Sequence, residues 1–463
     1  MGQESESALS GALARLAQEH IPTVSLQFTD LGGHIKGVSV PGARFAEVVA
    51  QGQRIDGSSI DSVVRLREND MLLRPDLSTL TITPAAPPDH DSMPGAAANA
   101  NTSVGAQARV ICDVCEVGGQ PFVGDPRAVL RRAIQVAAAQ GYTYRVASEV
   151  EFYVCQRDAQ GRLHPLHEDR ESYFDLSADQ ASQFREALSV LLQRVGIGVE
   201  SSHHEVGAGQ HEIDLAVADA MQAADALVTL KQLASQLARR HGVHVSFMPK
   251  PFNGQSGSGL HLRQSLTNPA GDNLFVAPSR RTPPELALRF IAGQLRHAAA
   301  FTALTCPHVN SYKRLASGYE APATISWAHV SRAALIRVPL APSNLPALAE
   351  IELRGADPSC SPYLALAAAL RAGLAGIAEG LIPPEPMEET IVPFENADRI
   401  PLGVQRLPLT LGDALGALGA SALMSETLGE YAYSRFLEMK RREWQTWLTY
   451  VTDWEQDTDG ETA

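Results

Sequence analysis

The chain has 463 residues and a formal net charge of −14: too long for one ordinary core, and too acidic for nonspecific hold on nucleic acid or anionic membrane. No run of Lys and Arg offsets that charge, and the most apolar stretch, 363–370, meets Arg371 far short of a bilayer span. The acidic start MGQESESALS lacks the regions of a signal peptide, and Glu6 breaks the myristoylation pattern, so a cytoplasmic enzyme with neither nucleic acid nor membrane as partner is expected.

In chain order, residues 8–20 predict a short amphipathic helix, and 21–83 alternate strand-like runs (Val24 to Phe28, Leu80 to Thr83) with turns rich in Gly and Asp. Residues 84–108 are dominated by Pro, Ala, Gly and Asn without hydrophobic period, which predicts a linker or long loop. The division expected is a first domain over 15–105, including a linker at 84–105, and a second over 106–463. Beyond the linker, strand-like runs (RVICDV, YRVASEVEFYV, HVSFMP, IRVP, EIELR) alternate with helices expected at 126–140, 178–195, 218–241, 283–304, 361–379 and 426–451. Carboxylates on one strand face suggest an open sheet or half-barrel whose inner face is a site. Five cysteines make no disulfide framework, and the lone C-x-x-C of Cys112 and Cys115 sits in a strand-like run and reads as structural.

In Ser148-Glu149-Val150-Glu151-Phe152-Tyr153-Val154, the period of two sets both glutamates on one face and Val150, Phe152 and Val154 on the other. Neighbouring carboxylates repel and are costly to bury, so the pair needs cations or water. Glu350 and Glu352 share a face in the same way. The stretch SHHEVGAGQHEID (202–214) holds Glu205 and Glu212 seven residues apart. Gly207 and Gly209 oppose a helix, and one straight strand would send the two glutamates to opposite faces. A bend at the glycines lets both enter one site; a hairpin with surface charges stays open as the alternative.

The loop Asn253-Gly254-Gln255-Ser256-Gly257-Ser258-Gly259-Leu260-His261 is neither a Walker A nor a dinucleotide fingerprint. It can lay backbone groups against a small charged ligand, or be a flexible turn. Carboxylate and imidazole ligands without cysteine suit Mg²⁺ or Mn²⁺ more than structural zinc. Several arginines follow NSYKRL and GYEAP, as phosphoryl transfer demands, although scattered surface arginines would read alike.

The order and wording of IDGSSI, RPDLSTL, SEVEFYV, SHHEVGAGQHEID, MPKPFNGQSGSGLH, NSYKRL, GYEAP, IRVP and IELR resemble the glutamine synthetase family, type I, over about Val24 to Trp454. The resemblance implies an α+β fold: an N-terminal β-grasp domain and a catalytic domain with a curved antiparallel sheet (half-barrel) backed by helices. It also implies a homo-dodecamer of two hexameric rings, with Asp56 and Ser59 of IDGSSI serving a neighbour's site. The implied activity is ATP-dependent ligation of L-glutamate with ammonia through γ-glutamyl phosphate, using two or three Mg²⁺ or Mn²⁺ per site.

By the same resemblance, Glu151, Glu205 and Glu212 hold one divalent ion and Glu149, His261 and Glu352 a second. Gly257, Arg314, Arg332 and Arg354 bind glutamate, with Arg332, Arg337 and Arg354 around the moving phosphoryl. Asp56, Ser59, Tyr173, Glu205 and Glu320 form the ammonium cage, Asp56 taking a proton and Glu320 shielding the intermediate; Glu200, Ser265 and Arg337 contact ATP. Ser256, Arg263, Glu350 and the long linker depart from the family pattern. The tyrosine motif adenylylated in some members is not recognisable after residue 380, and Arg65 resembles an arginine linked to feedback inhibition. The rival readings are a γ-glutamyl-amine ligase taking methylamine, ethanolamine, a polyamine or an aniline, and a noncatalytic scaffold.

Overall fold

The computed structural model describes residues 3–60, 70–83, 106–166, 169–170, 173–175, 179, 181–276, 282–317, 321–340, 348–388 and 403–460, the side chains of 3–5, 59 and 317 excepted. The greater part of the linker, Arg65 and Glu320 lie outside the described residues.

The first unit opens with α1 (Gln3–Gln18) and holds α2 (Phe45–Gln51) and six strands: β1 (Thr23–Thr29), β2 (Ile35–Pro41), β3 (Gln53–Asp56), β4 (Asp70–Pro75), β5 (Thr81–Thr83) and β6 (Gln107–Glu116). Their order is β2-β1-β6-β4-β3, with β5 on β6, and only β1 and β6 run parallel. Alternation on β1 buries Val24, Leu26 and Phe28 in a small core that also takes Val110, Cys112 and Val114 of β6. The expected boundary at 105/106 is therefore corrected: β6 is the central strand of the first sheet, and that unit runs through Glu116. An apolar alternating strand can complete either of two sheets, and its pairing partner is not written in its own residues.

The second unit carries a nine-stranded sheet. Its strands are β7 (Thr143–Arg157), β8 (Leu163–Pro165), β9 (Val199–His204), β10 (Gln210–Asp219), β11 (His244–Ser246), β12 (Leu260–Thr267), β13 (Thr324–Ala328), β14 (Ala334–Arg337) and β15 (Ile351–Leu353). The order is β13-β14-β15-β12-β7-β10-β9, with β8 and β11 also on β7. All pairs are antiparallel except β13 with β14. The helices are α3 (Pro126–Ala139), α4 (Ser182–Arg194), α5 (Ala220–Arg240), α6 (Glu285–Thr305), α7 (Ser311–Ser317), α8 (Pro362–Ala378), α9 (Leu411–Gly419), α10 (Ala422–Leu428), α11 (Glu430–Leu448) and α12 (Asp453–Asp459).

Local chemistry sets the helix ends. Asp125 caps α3 by accepting from the Arg127 N–H, with Pro126 at the first helical position. The single helix expected over 426–451 is two, because Gly429 takes φ +78 and breaks α10 from α11. Helix α8 is buried almost all round, which explains its continuous apolar run, and its Gly376 lets it close on α6, where an added methyl would collide with the Arg289 carbonyl and with Gly293. Among the described residues, no helix is long and apolar enough to cross a membrane.

Arg127 joins the two units. Buried at 3 % side-chain exposure, it pairs with Asp76 (2.6 Å) and Asp113 (2.5 Å) of the first unit and Asp225 (2.9 Å) of α5. The Tyr363 hydroxyl donates to Asp225 at 2.7 Å.

Candidate active site

One face of the large sheet collects the carboxylates. Register places Glu212 opposite Glu151 and Asp214 opposite Glu149. On the other side of β7, His261 lies opposite Glu149; Glu352 lies opposite Arg263, and Arg337 opposite Glu352. Residues two apart on each strand share that face, so Arg263 and Ser265 follow His261.

The bend after β9 completes the set. Gly209 takes φ +75, and a side chain there would meet the Val154 carbonyl at 2.7 Å. The Glu205 N–H donates to the Gln210 carbonyl at 2.8 Å, closing the turn. Glu205 and Glu212 thereby converge: with His203, their ligand atoms lie within 4.8 Å of one another. His203 Nε2 is 2.9 Å from Glu205 and 3.7 Å from Glu212. Glu149, Glu212 and His261 form a second such group.

The distribution differs from the two expected trios. Glu212 belongs to both groups, and His203 enters one of them. Glu151 stands slightly apart, because one of its oxygens already accepts from the Gln210 amide and the Gly259 N–H, both at 2.9 Å. Its other oxygen is 3.7 Å from His261 Nε2. Glu352, fully buried, lies 3.5 Å from His261 Nδ1 and is held by Arg337 at 2.5 Å and by Arg354. His203 was legible in principle, since it sits two residues before Glu205 near the end of a strand.

Electrostatics mark a donor set short of positive charge. Burial, then the charges of Glu151, Asp214, Glu205 and Glu149, push the Glu212 carboxyl up to about 11. Burial and the Glu205 charge raise Glu151 as well, despite His261 and Arg314. Burial would also raise Glu149, but the His261 hydrogen bond and the charges of His261, Arg263 and Arg354 bring it down to about 2. Oxygen donors with imidazole and no thiolate fit a hard divalent cation such as Mg²⁺ or Mn²⁺.

The same stretch turns two histidines the other way. The ligand atoms of His204, His211 and Asp169 are also mutually within 4.8 Å. His204 lies between two acceptors, the Glu205 carbonyl (2.5 Å) and Asp169 (2.8 Å). Arg185 donates to His211 Nδ1 at 3.0 Å, which leaves the ring proton on Nε2. These contacts tie the rear group to the backbone of the bend through the Glu205 carbonyl.

Arg314 on α7 is buried, its guanidinium donating to the carbonyls of Arg354 (3.2 Å), Gly355 (3.3 Å) and Ala356 (3.1 Å). A methyl on Gly257 would sit 2.7 Å from the Arg314 side chain and the Pro249 carbonyl, so the loop needs glycine there. Arg332 stands exposed in the turn before β14. Tyr173 is exposed and stacked on Phe174 with ring centroids 3.9 Å apart; His203 lies edge-on to Phe174 at 4.7 Å. Asp56 ends β3 in the first unit and accepts from the Ser58 N–H (3.0 Å) and hydroxyl (2.8 Å); the Ser59 side chain is outside the described set.

Two departures from the family pattern turn out to be one feature. Arg263 reaches Glu350 (3.2 Å), Glu200 (2.6 Å) and Glu149 (3.5 Å), so the acidic residue on β15's approach is matched by a cation on β12. Burial chiefly raises Glu350 to about 7, against the pull of Arg263.

Comparison with known proteins agrees with this architecture. The family models "Glutamine synthetase, beta-Grasp domain" and "Glutamine synthetase, catalytic domain" match residues 20–117 and 123–458. A glutamine synthetase from Halobacterium salinarum is 39% identical over 462 residues, covering 98% of each chain. One from Staphylococcus aureus is 40% identical over 443 residues, 95% of each chain. A solved structure titled "GmaS/ADP complex-Conformation 1" superposes with a TM-score of 0.83 at 28% identity, covering 97% of this chain and 99% of that one. With both domain models matched and near-full-length relatives at this identity, the chain belongs to the glutamine synthetase family, ligases that form a carbon–nitrogen bond using ATP and divalent cations.

Proposed function

We propose that the protein ligates L-glutamate with ammonia to give L-glutamine through γ-glutamyl phosphate. The observation that carries this reading is the convergence of Glu205 and Glu212 across the glycine bend, on the face that also holds Glu149, Glu151, His261 and Glu352. A carboxylate does not condense with an amine at neutral pH, because its leaving group is too poor; phosphorylation by ATP makes the carbonyl reactive. Bound divalent cations, held by those six residues, would supply charge screening of the phosphates.

In this reading Arg314 and Gly257 hold glutamate, Arg332, Arg337 and Arg354 steady the transferring phosphoryl, and Glu200 and Ser265 meet the nucleotide. Arg263 takes a place among these last residues, since its guanidinium links Glu200 to Glu149. Asp56, Ser59, Tyr173, Glu205 and Glu320 would surround the ammonium, Asp56 removing a proton to expose the lone pair and Glu320 shielding the acyl phosphate from water. Asp56 and Ser59 would come from a neighbouring chain in a dodecamer of two hexameric rings.

The organic-amine reading has its own support: the stacked Tyr173 and Phe174 rings beside His203 offer aromatic faces, which suit alkylammonium groups. Glutamate-dependent phosphate release with ammonia, methylamine, ethanolamine, a polyamine and an aniline separates the two. Ammonia giving the highest kcat/KM is expected. A larger amine outperforming it replaces the glutamine reading, and no ATP turnover with any amine restores the scaffold.

A further inference from the structure

Behind the catalytic sheet, at the seam between the two units, lies a cavity of ≈ 340 Å³. Its walls include Thr81 and Arg109 of the first unit, Ser148 of β7, Ile197 before β9, Leu215 of β10 and Thr229 of α5. Ser148 precedes Glu149 on a strand, so it faces away from the carboxylate site.

Two of these groups are chemically unfinished. Arg109 is 5% exposed, and its hydrogen-bond partners are neutral: Gln27 at 3.3 Å, Thr81 at 3.5 Å and the Thr229 hydroxyl. Among the described residues no carboxylate pairs with it, and its Nε has no partner. The nearby Asp225 is already taken by Arg127 and Tyr363. Ser148, 2% exposed, has a hydroxyl without a partner.

Asp225 also lines the cavity and its charge reaches Arg109, but it pairs with Arg127; a buried guanidinium without a directly paired carboxylate is costly, which separates Arg109 from Arg127 and its three aspartates. Burial lowers the Arg109 guanidinium to about 10. The cavity is larger than inorganic phosphate needs, and Ile197 and Leu215 give it apolar wall.

We propose that this cavity binds a small aliphatic carboxylate, its charge taken by Arg109, its second oxygen accepting from Ser148, and its carbon chain lying along Ile197 and Leu215. Such a ligand touches β6 of the first unit and β7 of the second at once. It therefore ties the first unit to the strand that carries Glu149 and Glu151, the position of an effector rather than a substrate.

The test uses the full-length enzyme, its active site filled with glutamate and a non-hydrolysable ATP analogue. Butyrate, glutarate and inorganic phosphate are titrated calorimetrically at constant ionic strength. Saturable binding of butyrate or glutarate, with phosphate weaker, is expected. Arg109→Gln should weaken it by about tenfold or more, the loss of a charge-assisted pair, and Ser148→Ala by about threefold. Ser148→Ala keeps the test decisive if Arg109→Gln fails to fold. Absence of saturable binding, phosphate as the tightest ligand, or wild-type affinity in Ser148→Ala each overturns the proposal.

Discussion

Two acidic clusters in this chain are built on opposite plans. Around Arg127, three aspartates from both units meet one buried guanidinium and complete each other. On the large sheet, Glu149, Glu151, Glu205, Glu212 and Glu352 crowd together, and the side chains nearby leave Glu212 raised to about 11. The first cluster is finished by folding, whereas the second is left short of positive charge. Acidic residues in proximity thus say little until their counter-charges are located.

The largest expected effect separates the two plans. Glu212→Gln replaces a carboxyl whose ionisation burial and its neighbours already oppose, so kcat/KM should fall on the order of a hundredfold or more while the melting temperature of the metal-free protein holds or rises. A large fall in that melting temperature would break the contrast. Arg127→Met should do the reverse, costing about 3–5 kcal/mol in denaturant unfolding because the buried aspartates lose their partner, with kcat per folded enzyme within a few fold.

Arg263 tests an intermediate case, since it serves three carboxylates at the edge of the site. A double-mutant cycle of Arg263→Ala with Glu350→Gln should give a coupling of about 1 kcal/mol in unfolding free energy; additivity would show that the two departures are independent.

The smallest effect lies on α11, at Glu443. Burial opposes ionisation of Glu443, but the His308 hydrogen bond and Lys440 outweigh it and bring its pKa down to about 2 from 4.5. A folded pKa below the unfolded one stabilises above pH 4.5, and that contribution disappears as pH falls toward 2. Glu443→Gln should therefore flatten the acid limb of thermal stability in that window and change its slope little above it.

Much of the site was legible because strand periodicity is strict. The face shared by Glu149 and Glu151 and the glycine bend between Glu205 and Glu212 both follow from local backbone rules. What stayed hidden were facts of pairing. Arg263 and Glu350 looked like unrelated departures because nothing in chain order says that β12 lies beside β15. The domain boundary failed for the same reason, as β6 crosses the linker to pair in parallel with β1. The Arg127 hub joins residues from 76 to 225, a separation that no local pattern encodes.

Strand β7 pairs with β8, β10, β11 and β12 and supplies Glu149 and Glu151 from its middle. One inserted or deleted residue upstream of Ser148 within it would exchange the two carboxylates for Ser148 and Val150 or for Val150 and Phe152, and push acid into the core. Length changes in this lineage should therefore gather in the segments between strands, leaving β7 with a fixed residue count while its surroundings diverge.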